Sequence, residues 1–160
     1  MLKGRNQMKK QWILSVWIIL SIVLMAACQD PEANAKEEMA AAAETVKNVY
    51  MDAQNDDMNK FYEHFSKSGI SKDDMEISKI MFSDKVKQVG GIEKFTFTPI
   101  EKSKLKEKAV NMLKEEYKED WTVVLEESKI GGNYFWILQK HGDRYYVING
   151  DESPKEDILK

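Results

Sequence analysis

The hydrophobic residues of this chain change their period several times along the sequence, and the order of these changes limits the folds open to it. Between residues 39 and 53 they recur every three or four positions, as on a helix with one buried face. Similar spacing predicts a short second helix, capped by Asp56 or Asp57, and a third helix over residues 72–89. Over residues 92–100 apolar and polar side chains alternate instead, which predicts a half-buried strand.

One more helix and three more strands are predicted in the second half. Helical spacing returns over residues 105–117, and three short strands are predicted at residues 121–127, 134–140 and 144–149. Breaks that contain glycine separate these strands, and glycine tolerates the positive φ angles that hairpin turns require. The order of helices, strand, helix and antiparallel meander predicts an α+β fold. Residues 151–160 are expected to form either one helical turn or a frayed tail.

Two stretches of the chain resemble the nuclear-transport-factor-two-like, or cystatin-like, cone folds, which include small bacterial lipoprotein domains. In ETVKNVYMDAQNDDMNKFYEHFS a helix passes through Tyr50 and Ala53 to a polar break and an aromatic second helix, and NYFWILQKHGDRYYVING is similar to the family's closing hairpin. The resemblance implies a curved antiparallel sheet over N-terminal helices, with a cavity for a ligand, or for catalysis in some members, or an open sheet face for dimerisation. The Asp/His pair of the family's enzymes has no clear counterpart in the sequence, so the resemblance does not carry an activity.

The N-terminus has the layout of a secretory signal peptide. Residues 1–10 carry four basic side chains and no acidic one, and residues 11–27 contain no charged side chain. This uncharged run has 17 residues, whereas a membrane-spanning helix needs ~20, and it ends at small side chains that suit a protease. We therefore predict a signal-peptide helix over residues 1–27. The alternative is a lone Cys at the end of an uncleaved anchor helix.

Residues 24–28, which read Leu-Met-Ala-Ala-Cys, resemble the lipobox of bacterial lipoproteins. The resemblance implies cleavage after Ala27 and attachment of diacylglycerol to Cys28, with acylation of the new amino group. Each buried methylene of an acyl chain contributes ~0.8 kcal/mol, so two or three chains would hold the protein on a membrane. We expect residues 28–36 to be a short tether and residues 37–150 an α+β domain on the extracytoplasmic face of the cell membrane.

Charge and composition exclude several classes of function. Removing residues 1–27 takes away four of the 24 Lys and Arg residues and none of the 27 Asp and Glu residues, so the net charge becomes −7, which argues against nucleic-acid binding. The single Cys, once lipidated, excludes disulfides and thiolate chemistry. His64 and His141 have no metal-ligand partner at helical or hairpin spacing, and the sequence contains no nucleophile elbow or phosphate loop. We expect no catalytic residue, no metal site and no cofactor.

Several runs of like charge are interpreted as solvated surface. The lysine-rich stretch over residues 102–108 is expected to face water, with contact to anionic lipid headgroups as the alternative. Adjacent acidic side chains diverge, so four acidic pairs are interpreted as helix caps and solvated faces. The pairs are Asp56-Asp57, Asp73-Asp74, Glu115-Glu116 and Glu126-Glu127.

The closing strands carry apolar side chains on both faces. Along residues 134–140, Tyr134 and Trp136 point one way while Phe135 and Ile137 point the other. One face must pack on the helices. The other closes a pocket, meets a partner, or is covered by a helix or the C-terminal segment. Tyr and Trp suit a ligand wall because each joins apolar area to a hydrogen-bonding tip. The candidate binding residues are Tyr50, Tyr62, Trp121, Tyr134, Trp136 and Tyr146.

These observations favour a lipid-anchored, non-catalytic α+β domain that binds a small apolar molecule, a peptide or another envelope protein. A second hypothesis is a structural component of an envelope complex that self-associates, for example as a homodimer, through the sheet face. A third is a small hydrolase or isomerase in the cone cavity, which would require a buried acid–base pair.

Overall fold

The computed structural model describes residues 31–118, 120–130 and 132–160. The predicted signal peptide and Cys28 lie outside these residues. Residues 37–160 form one compact unit, which contains the whole sheet. Among the described helices, none combines the length and the apolar composition needed to cross a membrane.

The first half of the described chain forms three helices, α1 (Pro31–Gln54), α2 (Met58–Glu63) and α3 (Lys72–Val89). Side chains fix two of their starts. The Asp57 carboxylate accepts a hydrogen bond from the backbone N–H of Lys60, and the Ser71 hydroxyl accepts one from the backbone N–H of Asp74. Helix α3 stops at Gly90, whose φ of +94° is a left-handed conformation that favours glycine. The predicted capping at Asp57 and the predicted bounds of the third helix are confirmed.

Helix α1 begins earlier than the sequence pattern predicts. Its first residue, Pro31, lies inside the segment 28–36 that the sequence predicts as a tether. Proline suits the first turn of a helix, because its fixed φ is helical and its missing N–H would have no partner there. Glu32 in the same turn accepts a hydrogen bond of 2.8 Å from the Lys36 ammonium one turn later.

The second half forms an open sheet of four antiparallel strands, β1 (Thr96–Ile100), β2 (Trp121–Glu127), β3 (Tyr134–His141) and β4 (Arg144–Glu152), in sequence order. Pro99 lies on the edge strand β1, where a missing N–H is tolerated. Gly142, at a φ of +64°, helps to form the two-residue turn between β3 and β4. The register shifts after Ile137, where Ile148 is an extra residue on β4, as in a β-bulge.

Two further helices flank the strands, α4 (Glu107–Tyr117) before β2 and α5 (Lys155–Ile158) after β4. Of the two outcomes predicted for residues 151–160, the structure shows the helical turn rather than a frayed tail. Backbone bonds hold this segment: the N–H of Lys106 donates to the carbonyl of Ile158, and the N–H of Lys160 donates to the carbonyl of Lys104. These bonds attach the C-terminal residues to the segment that leads into α4.

The sheet separates two hydrophobic clusters. On its helix-packed face, Val124, Trp136, Leu138 and Val147 contact the apolar residues of helices α1 to α3. The opposite face, named the groove face here, carries Trp121, Val123, Leu125 and Phe135. These residues contact Leu105 and Leu113, and Ile158 and Leu159 pack alongside. The predicted α+β class, with N-terminal helices packed on an antiparallel sheet, is confirmed.

Candidate ligand groove and a buried glutamate

A groove of about 550 Å³ lies on the groove face, between helix α4 and the C-terminal helix α5. Val123, Phe135 and Ile137 line its floor because alternate residues of β2 and β3 point to this side of the sheet. Met112 on α4 lines one wall with 52% of its surface exposed, and Ile158 on α5 lines the other. The groove therefore presents apolar surface to solvent on a side of the sheet that the helices only partly cover.

The rim of the groove is charged, in contrast to its floor. Lys106 and Lys108 lie at the start of α4, and Asp151 and Asp157 come from the C-terminal part of the chain. The volume falls in the range of small-molecule sites, ~300–1,000 Å³, and such sites combine apolar walls with a few polar groups that orient the ligand. This arrangement fits a small amphipathic molecule better than an ion.

A second, more polar cleft of about 450 Å³ lies beside the start of β2, the end of β3 and the turn between β3 and β4. In it, the Lys102 ammonium lies 4.3 Å from the centroid of the Trp121 ring, a cation–π contact. Lys140 on β3 donates a hydrogen bond of 2.8 Å to Glu38 on α1. These contacts already engage both lysines of the cleft.

The most unusual polar group is Glu126 on the helix-packed face, only 1% of whose surface is exposed. Its Oε2 accepts a hydrogen bond of 2.6 Å from the Tyr50 hydroxyl and one of 2.7 Å from the Trp136 indole N–H. Its Oε1 accepts a hydrogen bond of 2.7 Å from the Lys85 ammonium. Three donors from α1, α3 and β3 thus converge on one carboxylate of β2, which is how a buried charge is normally tolerated.

Burial near Glu126, together with its charge, also shifts the pKa values of two neighbouring tyrosines. Burial, followed by the negative charge of Glu126, raises the pKa of Tyr50 far above its ordinary value, so its hydroxyl stays a donor. Burial and then Glu126 also raise the pKa of Tyr134. The Lys85 ammonium lies 5.5 Å from the Tyr134 ring centroid, at the edge of the cluster. Among the described residues, every buried side-chain nitrogen and oxygen has a hydrogen-bond partner.

The interpretation of Glu126-Glu127 as solvated acids is wrong for Glu126. Adjacent residues of a strand point to opposite faces of the sheet, so Glu126 and Glu127 could not both face solvent on the same side. Glu126 shares its face with Val124, which is fully buried, and this two-residue period is the signal that could have located it. Nothing in the sequence pairs Lys85 with Glu126, because the contact depends on how α3 crosses the sheet.

The six candidate aromatic residues do not form one surface. Tyr50 and Trp136 meet in the core with their ring centroids 6.0 Å apart, and Tyr134 packs 4.8 Å from Trp136. Trp121 is buried on the groove face, where its indole N–H donates to the carbonyl of Lys118. The other two lie elsewhere: the Tyr62 hydroxyl donates to the carbonyl of Ile70, and Tyr146 packs edge-on against His141.

The structure also contains an Asp–His contact that the sequence did not predict. The His64 Nε2 lies 2.9 Å from Oδ2 of Asp52, which joins the end of α2 to α1. The carbonyl of His64 accepts a hydrogen bond from the N–H of Val147 on β4. The pair therefore helps to hold two helices against the sheet edge.

Over the part of the chain that the structure describes, no cluster of three or more His, Cys, Asp or Glu residues is arranged to hold a metal ion. Comparison of the chain with protein-family models, curated proteins and solved structures found no match.

Proposed function

We propose that this protein is a lipid-anchored, extracytoplasmic lipoprotein whose α+β domain binds a small amphipathic molecule without transforming it. The anchor is supported by the sequence: a basic start, an uncharged run over residues 11–27 and the lipobox-like residues that end at Cys28. With two or three acyl chains the domain stays on the outer side of a bacterial membrane. Its binding surface is the groove between α4 and α5.

The observation that carries the binding proposal is the apolar lining of that groove, in which a largely buried floor meets a half-exposed wall. Val123, Phe135 and Ile137 are aligned by the sheet register, and Met112 extends the same apolar surface into solvent. Exposed apolar surface with charged groups at its rim marks binding sites in soluble domains. The apolar part of a ligand lies on the floor, and its polar part meets Lys106 and Lys108 or the opposing aspartates.

The groove lining supports binding rather than catalysis. Its residues include Ser153, whose hydroxyl donates to Asp151, but no histidine that could act as a base toward that hydroxyl. The buried carboxylate of Glu126 lies on the other face of the sheet and already accepts three hydrogen bonds. A cavity enzyme would need an accessible acid–base pair in one of these places.

The anchor is tested by labelling. Bacteria that express the full chain are grown with radiolabelled palmitate, and the immunoprecipitated protein is expected to carry the label. The Cys28→Ser variant is expected to lose it, whereas Ser21→Ala, a matched change inside the uncharged run, keeps it. An unlabelled wild-type chain would contradict the proposed anchor.

The groove is tested with an apolar fluorescent probe, N-phenyl-1-naphthylamine, on residues 37–160, the unit that contains the groove. We expect saturable fluorescence enhancement that weakens by about tenfold in Met112→Glu, because a charge is placed on the apolar wall, and in Ser153→Trp, which fills the groove. Met51→Glu, at a partly exposed methionine of α1, is the matched control and binds as the wild type does. Enhancement that is equal in all four proteins would refute the groove as the site.

A further inference from the structure

The charged residues that line the groove gather at one of its ends. Lys106 and Lys108 lie at the start of α4, and Asp151 on β4 is paired in register with Phe135 on the floor. Met112 lies one helical turn beyond Lys108 along the same helix, so the apolar wall continues away from the charges. The groove therefore has one charged end, from which apolar surface extends.

Two of the four charges at this end are already engaged within the protein. The Lys106 ammonium donates a hydrogen bond to the carbonyl of Glu156. Oδ2 of Asp151 accepts a hydrogen bond of 3.3 Å from the Ser153 hydroxyl. Each contact directs a charged group toward the protein itself, which leaves that group less available to a ligand.

The other two charges have no such contact. Within the described residues, neither the Lys108 ammonium nor the Asp157 carboxylate has a hydrogen-bond or ion-pair partner, and the two do not pair with each other. Both residues are exposed. Lys108 belongs to the α4 wall and Asp157 to the α5 wall. Opposite walls of the groove thus each carry one unpaired charge, and the two charges have opposite signs.

We propose that the ligand of this groove is a zwitterionic amphipath, a small molecule that joins an ammonium group and an anionic group to an apolar tail. Lys108 binds the anionic group, a carboxylate or a phosphate, and Asp157 binds the ammonium, while the tail lies on Phe135 and Ile137. A ligand with one charge is attracted by one wall and repelled by the other. This inference rests on the proposed function, because it names the class of ligand for the same groove.

Two kinds of molecule have this chemistry. One is an apolar amino acid, in which the ammonium and the carboxylate are close together. The other is a single-chain lipid with a phosphoethanolamine headgroup, in which a short spacer separates the phosphate from the ammonium. The test uses one probe of each kind, 2-aminodecanoic acid and decylphosphoethanolamine. Decanoate and decylamine, which have the same chain length but only one charge, are the comparison probes.

The test measures the protection of a thiol in the full chain in its native membranes. The thiol introduced by Met112→Cys lies on the wall of the groove, so a bound probe is expected to slow its reaction with a maleimide–polyethylene glycol reagent. Met51→Cys, on α1, is the matched control and is expected to react at the same rate with and without the probe. The unaltered chain controls for Cys28: labelling there would count against the lipid anchor rather than against the ligand.

Charge removal in the Met112→Cys background identifies which side chain binds which group. Lys108→Gln is expected to weaken the binding of decanoate and of both zwitterions by about two- to fivefold, but not that of decylamine. Asp157→Asn is expected to weaken decylamine and both zwitterions by about the same factor, but not decanoate. Each comparison uses one probe with several proteins, so differences in how the probes partition into the membrane cancel. Lys104→Gln and Glu156→Gln, which remove neighbouring charges outside the groove lining, are the controls and are expected to change binding less.

The pattern of losses decides between the outcomes. A zwitterion whose binding depends on both Lys108 and Asp157 supports the proposal, and if only one zwitterion behaves in this way, the ligand is of that kind. The proposal is wrong if neither zwitterion protects the thiol, if either charge variant leaves zwitterion binding unchanged, or if the losses are equal for all four probes, which would indicate a structural role.

The uncharged probe N-phenyl-1-naphthylamine separates this inference from the proposed function. If it protects the thiol introduced by Met112→Cys while the zwitterions do not, the groove binds apolar molecules and only the ligand class is wrong. If no probe protects that thiol, the groove is not a binding site, and the proposed function fails together with the inference.

Discussion

The two faces of the sheet are built from similar amino acids, but helices cover one face more completely than the other. On the helix-packed face three helices cover the strands, and Glu126, the one charged residue that is buried among those the structure describes, accepts hydrogen bonds from three side chains. On the groove face, α4 and the four-residue helix α5 cover the strands and leave between them a groove with a largely buried apolar floor and a half-exposed wall at Met112. The difference shows that aromatic content alone does not determine how completely a face of the sheet is covered.

The extent to which helices cover a face decides which hydrogen-bond partners its polar groups have. Trp136 and Trp121 are both buried, yet one donates to a carboxylate at the centre of the molecule and the other to a backbone carbonyl near a loop. The polar groups of a face that three helices cover are shielded from water, so they must satisfy one another. The groove face keeps its charges at the rim, where water solvates them.

The largest contrast is expected at neighbouring positions on β2. Glu126→Ala leaves Tyr50, Trp136 and Lys85 without their acceptor and is expected to lower the free energy of unfolding by about 3–5 kcal/mol. Glu127→Ala removes a half-exposed pair with Lys155 and is expected to cost less than about 1 kcal/mol. Urea denaturation of the two variants measures both values. Equal costs would mean that the two faces are equally sealed.

A pair of methionines probes the covering helices. Met75 on α3 is buried against the helix-packed face, so Met75→Ala is expected to cost about 2–5 kcal/mol through lost burial and a cavity. Met112 on α4 is half exposed at the groove, and Met112→Ala is expected to change stability by no more than about 0.5 kcal/mol. Thermal or urea unfolding distinguishes them, and a comparable loss at Met112 would show that the groove is closed in solution.

The two buried tryptophans give a smaller contrast. Trp136→Phe removes a hydrogen bond to a charged acceptor, for which about 1.5–3 kcal/mol is expected, and Trp121→Phe removes one to a neutral carbonyl, for which about 0.5–1.5 kcal/mol is expected. Both changes remove similar volume, so their difference isolates the acceptor. If Trp121→Phe is the more destabilising change, the indole hydrogen bond on the helix-packed face is not the stronger of the two.

The last contrast depends on pH. The pKa of Tyr50 is raised in the folded protein, so its stabilising effect is complete below the unfolded pKa of ~10 and is lost as the pH rises above that value. Below the unfolding transition, absorbance at 295 nm should therefore report the same number of ionising tyrosines in wild type and Tyr50→Phe. When the proteins unfold in alkali, one more tyrosine should ionise in the wild type than in Tyr50→Phe. An extra tyrosine that ionises before unfolding would contradict the burial of this hydroxyl.

The sequence predicts which helices and strands form better than it predicts where they end and how they pair. The bounds of α3 match the prediction because Ser71 and Gly90 mark its two ends, and the bounds of β2 match as well. Strand β1 begins at Thr96, later than predicted, because Ile92–Lys94 form a 3₁₀ turn. Strand β4 continues to Glu152 because it pairs with Tyr134, a partner that local pattern does not reveal. Differences of this kind arise where pairing between distant residues overrides local preference.

The groove could be predicted only as one of several outcomes. The two-sided apolar pattern of β3 shows that a second covered face exists, but not how completely α4 and the C-terminal segment cover it. That depends on the bonds from Lys104 and Lys106 to residues 158–160, which join segments far apart in sequence. Glu126 was missed for a different reason: the sequence pattern placed it correctly on β2, and its interpretation as half of a solvated pair was wrong.

The attachment of residues 158–160 also has a consequence for biosynthesis. The ribosome makes this segment after every strand of the sheet, so the wall that α5 adds to the groove cannot form until the strands have already emerged. Until then the apolar side chains of Phe135 and Val123 are covered from one side only, by α4. A nascent chain caught at that stage would offer a wider apolar surface to chaperones than the finished domain does.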